Sequence, residues 1–188
     1  MKSIYASILT ATTLAFAGAN ANAGVAIDWY TGVTAGTGYQ VAKADNTTFK
    51  GSAKSYGAVA GFDIPFVRVE AEYNYTHGKV AEVQTGMLNA YAKMPGLGVV
   101  MPYIGAGIGM VFDVDVHENK TGSFDYKESG KPMYQGMLGV TLNIPTLPFK
   151  VDVEGRVMHT QKLIDISTYD VTANNTLYDA RVKLRYIF

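Results

Sequence analysis

The chain has 188 residues, no cysteine, and 16 basic residues against 16 acidic residues. This length allows one domain of modest size, and the lack of cysteine excludes a disulfide scaffold, a thiolate metal site and a thiol nucleophile. The formal charge of zero excludes the basic footprint of a nucleic-acid-binding protein, so we expect no nucleic-acid partner. A hydrophobic fraction of 48% excludes an ordinary disordered chain, and 13 Tyr, 8 Phe and 20 Gly favour short, turn-rich strands.

The first 23 residues have the pattern of a secretory signal peptide. Lys2 supplies a positive charge, an apolar stretch runs from Ile8 to Ala17, and Ala21-Asn22-Ala23 is a small-x-small cleavage site. An N-terminal membrane anchor is the alternative, but the apolar stretch is shorter than the about 20 residues that a transmembrane helix needs. We therefore predict a cleaved signal peptide at residues 1–23 and one domain at residues 24–188.

Beyond this segment, apolar and polar residues alternate with a period of two. From Ile27 to Val41 the odd positions are mostly apolar, and the even positions are polar or glycine. Only a strand sends alternate side chains to opposite faces, whereas a helix would spread the same residues around its circumference. The alternation recurs, which predicts eight strands in all; the seven further segments are 55–64, 67–76, 88–93, 102–113, 134–144, 149–157 and 178–188.

Alternation alone does not show whether the apolar face points inward, as in a soluble sandwich, or outward toward lipid. Eight strands in residues 24–188 leave about 20 residues for each strand and its connection, enough for the about 9–11 tilted residues that cross a bilayer. Four polar connections alternate with three tighter turns that contain proline, and the polar ones are 42–54, 77–82, 116–131 and 160–174. Transmembrane barrels have short periplasmic turns, longer outer loops and aromatic residues at both ends of the apolar band. We therefore predict a membrane barrel with both termini in the periplasm and the four polar segments outside the cell.

Three sequence features carry a resemblance to a known family. The signal peptide, the glycine-rich run Met101–Gly109 and the terminal segment with alternating Leu184, Tyr186 and Phe188 resemble the small outer-membrane barrels of Gram-negative bacteria, the opacity-protein and surface-antigen group. The resemblance implies an all-β fold, namely an eight-stranded antiparallel up-and-down transmembrane β-barrel in the bacterial outer membrane. It also implies outer-membrane lipid and lipopolysaccharide as partners. Leu184, Tyr186 and Phe188 resemble the signal that the outer-membrane assembly machinery reads.

With the apolar faces outward, charged residues from every strand point into the barrel. The interior of an eight-stranded barrel is just wide enough to be filled by side chains. The predicted inward acids are Asp28, Asp63, Glu70, Glu72, Asp113, Asp115, Asp152, Glu154 and Asp179, and the inward bases are Arg68, Lys93, Lys150, Arg156, Arg181, Lys183 and Arg185. Interleaved charges of both signs satisfy one another through charge-assisted hydrogen bonds, so we predict an internal salt-bridge network that blocks ion flow. A general acid/base or cation site is the alternative, which we disfavour because every strand contributes and no pair stands apart.

Other motifs give weaker signals. Gly105-x-Gly107-x-Gly109 has a period of two rather than the spacing of a dinucleotide-binding loop, so we predict an inward glycine stripe that leaves volume for long Arg and Lys side chains. His77, His117 and His159 lie at outer strand ends or in the third loop, where a metal site at the rim is conceivable, but no pair has ligand spacing. We predict no catalytic residue, cofactor or metal.

The expected function is a non-enzymatic outer-membrane barrel that anchors surface loops for envelope integrity, adhesion or antigenic display. Phe124 and Tyr126 lie among charges in the third loop and are the candidate contact surface for a host or extracellular ligand. Two alternatives stay open, a lipid A-modifying barrel enzyme and a small diffusion pore. A deacylase would need an adjacent serine that a histidine activates, whereas His159 is followed by Thr160 and Gln161.

Overall fold

The computed structural model of the chain describes residues 27–44, 47–78, 81–95, 98–116, 130–144, 146–166 and 171–188. These residues form eight strands, which are β1 (Asp28–Ala44), β2 (Thr47–Asp63), β3 (Val67–Gly78), β4 (Ala81–Lys93), β5 (Val100–Val116), β6 (Pro132–Asn143), β7 (Phe149–Ile166) and β8 (Val171–Ile187). The predicted signal peptide, His117, Phe124 and Tyr126 lie outside the described residues. In the described part of the chain, no helix is both long enough and apolar enough to cross a membrane.

The strands close into one antiparallel barrel, which confirms the predicted fold class. Each strand pairs with its neighbours in sequence, and β1 also pairs with β8, from Tyr30↔Ile187 to Ala44↔Ala173. Closure gives every described strand a partner on both sides, so the sheet has no edge strand whose N–H and C=O groups hydrocarbon would have to solvate. The topology therefore meets the strictest requirement for a structure that crosses a bilayer.

The two faces of the barrel differ in chemistry. Large apolar side chains cover the outside, where Val33, Ile108 and Leu138 are 60%, 60% and 65% exposed. Their immediate neighbours along the strands point inward and include buried polar residues such as Thr34. The outward and inward positions agree with the predicted register along the described strands, except near the end of β5, where a register shift opposite Gln84 and Thr85 interrupts the alternation after Val111.

The connections are shorter than the sequence suggests at one end of the barrel. β1 continues to Ala44 and β2 begins at Thr47, while β7 continues to Ile166 and β8 begins at Val171, so most of the predicted loops 42–54 and 160–174 is strand. Backbone pairing does not require apolar side chains, and these strand ends extend beyond the apolar band with exposed polar residues such as Ser52 and Lys54. We call this end of the barrel, with the connections β1–β2, β3–β4, β5–β6 and β7–β8, the loop end. The opposite end is the turn end.

Candidate functional site: the charge network in the barrel interior

Charged side chains fill the turn-end half of the barrel interior. In the described residues, seven bases and seven acids form ion pairs with one another, and we call this set the interior charge network. Its members are Arg68, Lys93, Lys150, Arg156, Arg181, Lys183, Arg185, Asp28, Asp63, Glu70, Glu72, Asp152, Glu154 and Asp179. Asp113 was predicted to point inward, and this prediction was wrong: the register of β5 shifts opposite Gln84 and Thr85, so Asp113 pairs with Gln84, whose side chain lies on the outward face beside the Tyr73 hydroxyl. The side chain of Asp115 lies outside the described part of the structure. The network has no net formal charge, so opposite charges offset the burial of every member.

Asp152 is the centre of the network near the turn end. Arg185 of β8 binds it with two hydrogen bonds, Nε to Oδ2 at 2.8 Å and Nη2 to Oδ1 at 2.9 Å. Arg68 of β3 donates from Nη1 to Oδ2 at 3.0 Å, and Thr141 of β6 donates from Oγ1 to Oδ1 at 2.6 Å. One carboxylate on β7 thereby binds side chains from three other strands. Asp63 joins this layer through ion pairs with Lys93, Lys150 and Arg185.

Two tyrosine rings hold the guanidinium of Arg68. The Arg68 Cζ atom lies 3.9 Å from the ring centroid of Tyr91 and 4.6 Å from that of Tyr103. Its Nε and Nη2 atoms are buried and have no hydrogen-bond partner among the described residues, so the faces of the rings replace the missing acceptors. The hydroxyl groups of the same tyrosines donate to Glu70 and Glu154, both at 2.9 Å. The rings therefore stabilise a cation while their hydroxyls stabilise two anions.

The middle of the network joins opposite walls of the barrel. Arg156 of β7 donates from Nη1 to Glu72 Oε1 at 2.9 Å, and Arg181 of β8 pairs with the same oxygen. Arg156 also donates to Asp179 from Nε at 2.9 Å and from Nη2 at 2.5 Å. Lys183 reaches Glu70 at 2.6 Å. Because β3 is not adjacent to β7 or β8 in the sheet, the pairs that Glu70 and Glu72 make cross the lumen.

This arrangement is suited to holding the barrel closed. The carboxylates of the network accept hydrogen bonds from cations, and most of these side chains are completely buried. A buried ion pair is tolerated only when its remaining donors and acceptors are satisfied, and breaking one such pair leaves an uncompensated charge. Within the described residues, no group of three or more His, Asp and Glu side chains is placed to hold a metal ion.

The two described histidines lie on the outward face, away from the network and from each other. His77 Nδ1 lies 2.6 Å from Glu82 Oε1, and the Tyr75 hydroxyl donates to the other oxygen of this carboxylate at 2.6 Å. His159 Nδ1 lies 3.0 Å from the hydroxyl oxygen of Thr176. The hydroxyl beside His159 thus belongs to a threonine on the neighbouring strand, and Thr160 points to the opposite face.

The glycine stripe on β5 makes room for polar and aromatic side chains rather than for Arg and Lys. A Cβ atom on Gly105 would collide with the ring of Tyr91, and one on Gly107 would collide with Asn89 Oδ1 and lie 3.0 Å from Gln135 Cγ. These neighbours connect to the network, because Asn89 donates to Glu72 at 2.8 Å and Gln135 donates to Asn89 at 2.5 Å. The predicted inward stripe is present, but the prediction of what occupies its space was wrong. Because Gly105 has no Cβ, the ring of Tyr91 on the adjacent β4 folds across β5 at this point.

A second interior region, which the sequence reasoning missed, lies on the loop-end side of the network. Seven buried apolar residues point into the barrel there and form what we call the inner apolar cluster: Ala53, Val83, Met87, Val111, Met133, Met158 and Leu177. Several of them interrupt the polar face of their strand, and this interruption is the sequence signal that could have revealed them. The interior is therefore divided into a charged half and an uncharged half, in which apolar residues are mixed with neutral polar ones.

Known proteins resemble this chain in their folded structure. No protein-family profile matches the chain, and no curated protein sequence matches it. Among solved structures, the crystal structure of Neisserial surface protein A is 17% identical, covers 82% of this chain and 95% of its own, and superposes with a TM-score of 0.56. The N-terminal β-barrel domain of Pseudomonas aeruginosa OprF is 13% identical, with coverage of 82% and 99% and a TM-score of 0.46. The outer membrane protein AlkL, solved in lipid bilayers, is 13% identical, with coverage of 91% and 94% and a TM-score of 0.45. The likeness to Neisserial surface protein A, together with the closed barrel of eight antiparallel strands, shows that the chain has the fold of the small eight-stranded outer-membrane β-barrels.

Proposed function

We propose that this protein is a non-enzymatic barrel of the bacterial outer membrane that anchors surface segments for envelope integrity, adhesion or antigenic display. The observation that carries the proposal is the inverted distribution of chemistry, with apolar side chains outside and a closed, paired charge network inside. An apolar outer surface that encircles the whole barrel far exceeds the few hundred Å² that a soluble monomer exposes as one patch. Lipid is the solvent that suits this surface.

Aromatic side chains at the two ends of the apolar band support a membrane position. At the turn end, the rings of Trp29 and Phe62 lie 5.5 Å apart and those of Phe149 and Tyr186 lie 5.2 Å apart. Toward the loop end, the outward Tyr73 donates its hydroxyl to Gln84 at 2.8 Å. Rings with an apolar body and a polar tip favour the headgroup level, where two such girdles are expected.

The packed interior favours an anchor over a pore. Arg68, Glu70, Asp152 and Lys183 are fully buried, and their ion pairs cross the lumen at the level where a channel would run. Ions could pass only if several buried pairs separated, and each separation would leave charges without partners. We expect no steady conductance when the protein is inserted into a planar bilayer.

The proposed partners follow from this position. Outer-membrane lipid and lipopolysaccharide would cover the apolar band. Leu184, Tyr186 and Phe188 all point outward on the last strand, where the outer-membrane assembly machinery could contact them. A host or extracellular ligand would meet the segment that contains Phe124 and Tyr126.

Accessibility of tags on intact cells tests the proposal. A short epitope inserted at Phe124, between β5 and β6, should bind antibody on intact cells. A matched epitope at Gly98, in the β4–β5 turn where no atom lies within 4 Å of an added Cβ, should bind only after the membrane is permeabilised. If antibody binds the Gly98 tag on intact cells but does not bind the Phe124 tag, the orientation is the reverse of the proposed one and the surface-anchor function is refuted.

A further inference from the structure

We propose that the uncharged half of the barrel interior binds a neutral amphipathic molecule, namely a straight alkyl chain that carries one hydroxyl group. A cavity lies there, lined by Gln40, Thr76, Val83, Thr85, Met133, Met158, Thr160 and Leu177. The enclosed space is about 20 Å³, room for about one water molecule, so a larger ligand enters only when the lining side chains move apart. This site is separate from the surface-anchor function and does not depend on it.

Two unpartnered polar atoms point to a ligand with a hydroxyl group. Gln40 and Thr160 are only 2% and 1% exposed, yet Gln40 Oε1 and Thr160 Oγ1 have no hydrogen-bond partner among the described residues. A buried polar atom without a partner is costly, so a molecule that satisfies both atoms gains free energy relative to a pure hydrocarbon. The amide oxygen of Gln40 can only accept, and the Thr160 hydroxyl can donate or accept, so a hydroxyl group on a ligand can satisfy either atom.

The rest of the lining selects a neutral, flexible tail. Val83, Met133, Met158 and Leu177 present hydrocarbon and thioether groups, and none of the eight lining residues is charged. An ionised ligand would lose its hydration without gaining a counter-charge. The unbranched side chains of Met133 and Met158 change rotamer easily, so they can move apart to admit a chain wider than the resting cavity.

Methionine methyl NMR tests this proposal, because the chain carries matched reporters. The protein, labelled with ¹³C at its methionine methyl groups and held in phospholipid nanodiscs, is titrated with 1-hexanol. Met133 and Met158 line the cavity and report binding there. Met110 is 49% exposed on the lipid face and reports hexanol dissolved in the bilayer. Met137 is buried beside Tyr91 and Tyr103, outside the cavity lining, and serves as the interior control. We expect saturable shifts at Met133 and Met158, a linear drift at Met110 and no saturable shift at Met137.

Two variants distinguish binding of hexanol in the cavity from partition of hexanol into the bilayer. Gln40→Leu and the nearly isosteric Thr160→Val should each weaken hexanol binding by about 2- to 12-fold, the range expected for one net hydrogen bond. Neither should weaken the binding of hexane, and hexanoate should bind wild-type protein less well than hexanol. Heat-modifiable gel migration verifies that each variant is folded. Linear, unsaturated shifts at Met133 and Met158 would overturn the proposal, and so would equal affinity for hexane and hexanol or an unchanged hexanol affinity in both variants.

Discussion

Replacing Arg156 with methionine should destabilise the barrel strongly. The substitution keeps the unbranched stem of the side chain but removes the guanidinium group with its charge and its donors. Arg156 is buried and donates to Asp179 at 2.9 and 2.5 Å and to Glu72 at 2.9 Å. Among the described residues, Glu72 would keep Arg181, whereas Asp179 would keep only the Ser55 hydroxyl, at 3.0 Å. Removal of one partner from a buried ion pair costs about 3–5 kcal/mol, so we expect Arg156→Met to lower the free energy of unfolding by this amount.

Urea unfolding in phospholipid vesicles measures this change. Trp29 is the single tryptophan and lies on the outward face at the turn end, so its fluorescence reports the loss of the membrane-inserted barrel. The control is Lys54→Met, which removes the same charge from an exposed position and should change stability by no more than about 0.5 kcal/mol. The double variant Arg156→Met with Asp179→Leu should be less destabilised than the two single variants added together, because it leaves no lone carboxylate.

An effect of Arg156→Met below about 1 kcal/mol, the range of exposed ion pairs, would refute this reasoning. Additive single effects in the double variant would refute it as well. Either result would mean that water reaches Asp179 in the barrel and screens its charge.

Three further predictions concern other parts of the barrel. Leu138→Arg on the lipid face should cost about 2–4 kcal/mol near the bilayer midplane in the same urea assay, and a neutral effect would place this face in water. Gly139→Ala should cost about 1–3 kcal/mol, because the new Cβ would lie 2.6 Å from both the Tyr103 hydroxyl oxygen and the Val153 carbonyl oxygen. Gly136→Ala on the same strand, with no atom within 4 Å, is the neutral control, and equal effects at the two positions would contradict the packing. Phe188→Ser should reduce the amount of folded protein in the outer membrane, judged by migration of unboiled samples, whereas Phe112→Ser should not; equal yields would remove Phe188 from the assembly signal.

The fold could be predicted because a barrel in lipid requires a different chemistry on each face. Val33 and Thr34 must point to opposite sides, and this requirement repeats along every strand. The ends of the strands could not be predicted, because backbone pairing near Ala44 and Thr47 continues where the side chains are polar. Polar residues in a paired hairpin and in a loop look alike in the sequence.

The members of the interior charge network follow from the alternation, but their partners do not. Arg68 meets Asp152, and Arg156 meets Glu72, across strands that are not neighbours in the sheet. Such pairs depend on the stagger of the strands around the barrel, which sets the height of each side chain along the axis. The contacts of the Tyr91 and Tyr103 rings with the Arg68 guanidinium depend on the same stagger, and also on glycines that leave space for the rings.

The accessibility of spin labels at adjacent positions of β1 tests the central claim most directly. The chain has no cysteine, so Val33→Cys and Thr34→Cys each place a single label. In phospholipid vesicles, the label at position 33 should collide with oxygen dissolved in the bilayer and avoid a water-soluble nickel chelate, while the label at position 34 should meet neither reagent. Collision of the nickel chelate with the label at position 33 would show that the apolar face lies in water, contrary to a barrel with lipid outside and paired charges inside.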